Sequence, residues 1–384
     1  MRVLIISHTY ISRINRDKWK ILSQYYPNTK LLIVFPKAWP TTLFTHEAII
    51  HQEEQLDNCL FVTLDAFKTG NELLYGYSLK QLYNTIKNFK PDLIHVEQGD
   101  AALSYFQANL CCKYLNKKIK SVFFTWINWK PNHSLKYNLL WKPIEKINRR
   151  CATGAIAGNQ EAQELLRQKG FNKPIMVLPQ LGVNTDIFKP AKKLHPASLK
   201  SVNYIGFIGR ITDEKGVFLL LNAFFKIHQK FPHWNLIFIG KGPALPQLNN
   251  FIAQKKLHHR IEFCQPVPHE KVALLLQKMD ILVLPSYDTP LWKEQFGHVL
   301  IEAMACKIPI LGSSAGPIPH VIDQAGLIFE QKNEASLLAQ LQTLMQDENS
   351  RKQLGELGLT RAHEHYSHKV IADKTYQFWN RLLS

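Results

Sequence analysis

Short aliphatic runs alternate with longer amphipathic segments along most of this chain. In the first half the runs predict strands at Val3–Ser7, Leu31–Phe35, Leu60–Leu64, Leu93–Val96, Ser121–Thr125, Ala155–Ala157 and Ile175–Leu178. In the second half they predict strands at Tyr204–Ile208, Leu236–Ile239, Ile261–Phe263, Ile281–Leu284 and Ile308–Leu311. Most are continuously apolar rather than alternating, as in strands buried on both faces of a parallel sheet. The intervening segments are long enough for crossover helices. The pattern therefore reads as α/β, with two doubly wound Rossmann-like parallel-sheet domains facing a cleft. Ligands of such sheets bind beyond the carboxyl ends of the strands. The polar stretch Asn184–Leu199, with Pro190 and Pro196, reads as the linker. This gives an N-terminal domain over 1–188 and a C-terminal domain over 200–364.

A length of 384 residues suits two domains, and 46% hydrophobic with 20% charged residues describes a globular chain rather than a disordered one. No apolar run approaches the ~20 residues that span a bilayer, and Arg2-Val3-Leu4-Ile5-Ile6 is too short for a signal-peptide core. The six cysteines lack C-x-x-C and zinc spacing, which fits a reducing, cytoplasmic compartment. The formal charge of +17 favours anionic partners. Between 113 and 150, ten cations interleave with Phe123, Phe124, Trp126, Trp129, Tyr137 and Trp141, against Glu145 alone. That composition suits an anionic membrane surface, and equally a solvated helix face over a core strand. Peripheral association at the inner face of the membrane is the sharper expectation. Zinc-finger spacing and RNA-recognition aromatics are absent, so no nucleic acid is expected as partner.

The chemistry concentrates in Trp292-Lys293-Glu294-Gln295-Phe296-Gly297-His298-Val299-Leu300-Ile301-Glu302-Ala303. A carboxylate precedes a glycine turn, and a second lies further along the helix that the turn opens. A helix N-terminus is a natural phosphate seat. The N–H groups of Phe296, Gly297, His298 and Val299 would face sugar and phosphate, with Gly297 permitting close approach. Upstream, Gly209-Arg210 and Lys215-Gly216 sit at a strand end and in the loop after it, where two cations would clamp a diphosphate.

These residues resemble the E-x7-E motif and the G-R…K-G segment of retaining glycosyltransferases of family four, which have the GT-B fold. Ile239-Gly240-Lys241-Gly242-Pro243, Leu284-Pro285-Ser286 and Leu178-Pro179-Gln180-Leu181-Gly182-Val183-Asn184 follow the family's order as well. The resemblance implies retaining transfer of a hexosyl group from a nucleoside-diphosphate sugar to a glycan or lipid-linked acceptor, as in exopolysaccharide biosynthesis. It implies that Glu294 holds the donor sugar and Glu302 the ribose, and that the final helix, about 365–384, crosses back to the N-terminal domain. No D-x-D motif is present, so no metal and no other cofactor are expected.

The N-terminal domain should bind the acceptor. His8 follows the first strand, Glu97 the strand ending at Val96, and Trp126 and Asn128 the strand ending at Thr125. Arg13, Asn15, Arg16 and Lys18 are placed to meet an anionic acceptor. Many relatives carry a histidine near Trp126; here the next one is His133. Gln265 replaces a glycine near the nucleobase segment, and His320 stands at a glutamate position. Neither change touches the clamp. A nicotinamide enzyme is disfavoured, because His8-Thr9-Tyr10-Ile11-Ser12 has no glycine where G-x-G-x-x-G would be needed. A sugar-nucleotide epimerase or a phosphorylase would use the same clamp and stays open. The sugar, the base and the acceptor are not legible.

Overall fold

The computed structural model describes residues 1–40, 54–115, 118–130, 135–191 and 202–384. The chain divides into two compact units, Met1–Gly182 with His368–Ser384, and Val183–Ser367. Among the described residues no helix is long and apolar enough to cross a membrane.

The first unit is built on strands β1 (Arg2–Ile6), β2 (Lys30–Pro36), β3 (Glu54–Leu56), β4 (Cys59–Leu64), β7 (Leu93–Val96), β8 (Lys120–Thr125), β9 (Gly154–Ala157) and β10 (Ile175–Val177), with β5 (Ala66–Phe67) and β6 (Gly76–Tyr77) forming a separate hairpin pair. The sheet order is β10-β9-β8-β7-β1-β2-β4-β3, and only β3 pairs antiparallel. Val3, Leu4, Ile5 and Ile6 are wholly buried, which accounts for the unbroken apolar run. The strand order reverses between β1 and β7, so the loops after Ile6 and Val96 leave the sheet side by side.

The helix His368–Leu383 belongs to this unit. It packs on the helix Asp17–Tyr25, with Trp379 stacked on Trp19 at 5.5 Å and Tyr376 stacked on Tyr26 at 3.6 Å. Gly154 leaves space for it: a Cβ there would stand 3.0 Å from Leu382 and 3.1 Å from Phe378.

The second unit contains β11 (Asn203–Ile208), β12 (Trp234–Ile239), β13 (Ile261–Cys264), β14 (Ile281–Leu284), β15 (Ile310–Ser313) and β16 (Gly326–Phe329). Its order is β13-β12-β11-β14-β15-β16 and every pairing is parallel. This is the doubly wound arrangement whose switch point lies between the first and fourth strands, here β11 and β14. Some strands depart from expectation, and β3, β5 and β6 were not expected at all. The run at Ile308–Leu311 pairs from Ile310 to Ser313, because residues 306–309 close the preceding helix and enter the strand. Gly326–Phe329 forms an additional edge strand on β15. The linker expected over Asn184–Leu199 lies partly outside the described residues, as do Lys117 and His133.

Candidate functional site

The loops leaving β11, β12 and β14 in the second unit are packed main chain to main chain. Gly209 N–H donates to Ile239 O and Ile211 N–H to Lys241 O, both at 3.0 Å. A Cβ on Gly240 would stand 1.9 Å from Gly209 O, and one on Gly242 would stand 2.2 Å from Ile211 O. Only glycine permits this approach. Gly216, at φ +69°, likewise abuts Pro285 O, and Tyr287 N–H donates to Glu214 O at 2.9 Å. The clamp loop is thereby tied to the segment after β14.

That tie brings Lys215 to Glu294. Lys215 Nζ lies 2.7 Å from Glu294 Oε2, and Ser286 Oγ donates to the same oxygen at 3.0 Å. Lys215 also sits 4.7 Å from the Trp292 ring centroid. Glu294 is only 6% exposed, so its charge is held by these partners rather than by water. Arg210 is more open, 3.6 Å from Glu214. The second carboxylate, Glu302, is 9% exposed on the helix His298–Ala305. Both glutamates are thus sunk in the protein surface.

Gly297 has φ +80°, and a Cβ there would meet Leu284 at 2.8 Å and Leu300 at 3.0 Å. The turn and the packing beneath it thus require glycine. Phe296 is buried between His298 and Tyr366, so only its main chain is available. His298 and Val299 open the helix, where N–H groups gather without intrahelical acceptors. Burial holds the His298 imidazole below its usual range, against the opposing pull of Glu302 and Glu294.

Residues 190–361 match the family model described as Glycosyl transferases group 1. This region is similar to group 1 glycosyl transferases. The matched span holds Gly209, Arg210, Lys215, Glu294, Phe296, Gly297, His298, Val299 and Glu302, all the donor-side residues singled out above. Over 158 residues the chain is 31% identical to an uncharacterised glycosyltransferase of Methanocaldococcus jannaschii, covering 41% of this chain and 42% of that protein. Over 211 residues it is 24% identical to the D-inositol 3-phosphate glycosyltransferase of Corynebacterium diphtheriae, covering 51% and 48%. The chain thus spans less than half the length of either relative. In fold it is similar to Anabaena HepE, solved in complex with UDP, at a TM-score of 0.72 and 15% identity over 99% of each chain. The α/β architecture with two Rossmann-like parallel sheets is that of such GT-B structures.

Outside the matched span, the first unit treats its candidates unequally. His8 lies at the switch point, stacked on Trp39 at 4.4 Å, 2.8 Å from Gln98 Nε2 and 3.5 Å from Glu72. Arg13 is exposed nearby. Asn15 donates to Thr9 O at 3.0 Å. Glu97 does not face solvent. Its carboxylate receives Lys18 Nζ at 2.9 Å, Gln180 Nε2 at 3.1 Å and the Tyr10 hydroxyl. Burial pushes the Glu97 carboxyl up, but Lys18, His95 and the hydrogen bonds outweigh it and hold it below its ordinary value. Lys18 is 1% exposed and Arg16 fully buried, the latter paired with Glu54 at 3.2 Å and lying over Phe35 and Phe61. Neither is placed to meet an anionic acceptor from solvent, contrary to expectation.

Trp126 Nε1 donates to Gln180 Oε1 at 3.2 Å, and Asn128 Nδ2 to Glu161 Oε2 at 2.9 Å. Asn128 is buried and Trp126 is half-buried. The basic and aromatic stretch is also reorganised. Phe123 and Phe124 are core, Trp141 donates to Ala101 O, and Arg149 pairs with Asp100 and Glu145. One face of the helix Leu135–Cys151 is exposed, with Leu139, Lys142, Pro143, Lys146, Ile147 and Arg150, and Lys113, Tyr114, Lys118, Lys120 and Lys130 are exposed as well.

Sequence reasoning missed His269. Its Nε2 lies 2.6 Å from Glu302 Oε1. Nothing in the local sequence marks it, since the partners are 33 positions apart and on different helices. Among the described residues no group of three His, Cys, Asp or Glu side chains could hold a metal ion.

Proposed function

We propose that this chain is a retaining glycosyltransferase, moving a hexosyl group from a nucleoside-diphosphate sugar to a glycan or lipid-linked acceptor. The observation that carries the reading is the Lys215–Glu294–Ser286 cluster at the β11/β14 switch point, with Glu302 on the helix that follows. Breaking the anomeric bond builds negative charge on the departing phosphate and positive character on the sugar. Arg210, Lys215 and the N–H groups of His298 and Val299 are suited to the first, because fixed cations and dipoles need no reorganisation as charge develops. Glu294 is suited to hold sugar hydroxyls and Glu302 the ribose. The acceptor-side groups would come from the first unit, with His8 and Arg13 its most accessible candidates.

The relatives support this. One is named a D-inositol 3-phosphate glycosyltransferase, and HepE was solved with UDP-glucose as well as UDP. UDP-sugars are therefore the first donors to try. The reading extends to peripheral association with an anionic membrane surface, supported by the exposed cationic and apolar face of the helix Leu135–Cys151.

The test is a panel of UDP-, GDP- and ADP-sugars. A donor should raise the melting temperature of the wild type and yield a glycosylated acceptor with the anomeric configuration kept. Glu294→Gln and Glu302→Gln should remain folded and lose most transfer. Isomerised sugar nucleotide or free sugar phosphate as the product would favour the epimerase or phosphorylase reading instead.

A further inference from the structure

Glu302 has a partner whose place in the fold is informative. His269 is the first residue of the helix His269–Leu276, which packs beside the helix His298–Ala305. Its Nε2 is 2.6 Å from Glu302 Oε1, and since a carboxylate only accepts, Nε2 carries the hydrogen. The ring rests at 48° to Phe188, centroids 5.3 Å apart. Its side chain is 44% exposed, while that of Glu302 is 12% exposed. A contact made only for packing would not leave the histidine this open. An ionised carboxylate has about four acceptor sites. His269 uses one, on one oxygen, which leaves capacity for a vicinal diol.

We propose that His269 is a positioning residue that presents the Glu302 carboxylate to the ribose hydroxyls of the bound nucleotide. The inference rests on the sugar-nucleotide reading given above. A carboxylate on a rotatable side chain reads a diol well only when its plane is fixed, and a charge-assisted hydrogen bond from a second helix fixes it. The titratable groups around the pair are Glu302 and His298 on one helix, Glu270 beside His269 on the other, and Glu294 beyond His298. Burial works to lower the His269 imidazole, but the Glu302 hydrogen bond and charge, with Glu270, raise it above its usual value. The ring is therefore an imidazolium up to a higher pH than a free histidine. The bond to Glu302 weakens as pH climbs through that raised value.

UDP, GDP and ADP are titrated calorimetrically against the full chain, and the tightest is compared with its own 2′,3′-dideoxy analogue. The ratio of the two affinities isolates the ribose contact. In the wild type at pH 6 it should be about tenfold or more, as for loss of a charge-assisted hydrogen bond. His269→Ala should shrink it to roughly twofold, as Glu302 loses its orientation. His269→Gln, which retains an N–H donor, should keep most of the ratio and abolish its decline with pH. Glu302→Gln should bring the ratio close to one at every pH. A ratio unchanged in His269→Ala, or an equal loss for both nucleotides, would overturn the positioning role. Failure of the wild type to bind any of the three nucleotides would instead overturn the sugar-nucleotide reading and this inference with it.

Discussion

Removing Lys215 from beneath Glu294 tests the site before any substrate is known. At 2.7 Å, an effective dielectric near 20 gives a gross attraction of about 6 kcal/mol. Desolvation of two charges whose side chains are 15% and 8% exposed offsets part of it. Lys215→Met leaves Glu294 buried with Ser286 as its remaining hydrogen-bond donor of the pair described here. Removing one member of a buried pair costs about 3–5 kcal/mol, and Ser286, the other contacts that Glu294 keeps and its partial exposure favour the lower end. In a unit of this size each kcal/mol moves the midpoint by roughly 2–4 °C, so the transition of Val183–Ser367 should fall by about 6–12 °C. Glu294→Gln should cost less, because Lys215 keeps the Trp292 ring and more access to water. The double variant should recover much of the loss, with a coupling of at least about 1.5 kcal/mol in the cycle. Scanning calorimetry without nucleotide reads all four proteins. A Lys215→Met transition within about 2 °C of wild type, or strictly additive single changes, would refute the idea that these charges depend on each other.

Two further expectations concern the first unit. His95 is 1% exposed between Trp19 and Trp379, and burial pushes its imidazole down to about 4. Between that value and an unfolded one near 6.5 the unfolded chain binds the extra proton, so this unit should lose stability as pH falls through that window. His95→Leu should flatten the loss in urea melts at pH 4.5 and 7; an unchanged slope would remove His95 as its source. On the helix Leu135–Cys151, Lys142→Gln, Lys146→Gln and Arg150→Gln together should release the protein from anionic vesicles in a salt-sensitive way, at roughly 1 kcal/mol per cation. Binding that is equal on neutral and anionic vesicles, or absent from both, would leave that face as ordinary solvated surface.

The parts of the fold legible in the sequence were those carried by unbroken apolar runs. Val3–Ile6 and Ile281–Leu284 are buried throughout, and burial on both faces is what makes such runs. Gly326–Phe329 escaped because an edge strand is only partly covered and need not be apolar. The clamp stands out because Arg210 and Lys215 each adjoin a glycine, and the glutamates because they bracket the Gly297 turn. His269 does not, since its meaning comes only from a helix 33 positions away. Lys18 and Arg16 misled for a related reason. Long cationic side chains are ordinarily solvated, and nothing local reveals that Glu97 or Glu54 waits inside. Aromatics between 113 and 150 misled in the opposite sense, because composition cannot distinguish a core strand from an exposed face.

The helix His368–Leu383 has a consequence for the order in which the molecule is made. Trp19, His95 and Gly154 emerge from the ribosome early, yet Trp379, Phe378 and Leu382, which cover them, emerge only after the whole second unit. Val183–Ser367, by contrast, is contiguous and has all of its sequence before that helix appears. Synthesis therefore runs against the numbering: the second unit can finish while the first still shows an open apolar seam. Nascent chains halted before residue 368 should be the ones that need a chaperone, and the hazard ends only when the closing helix arrives.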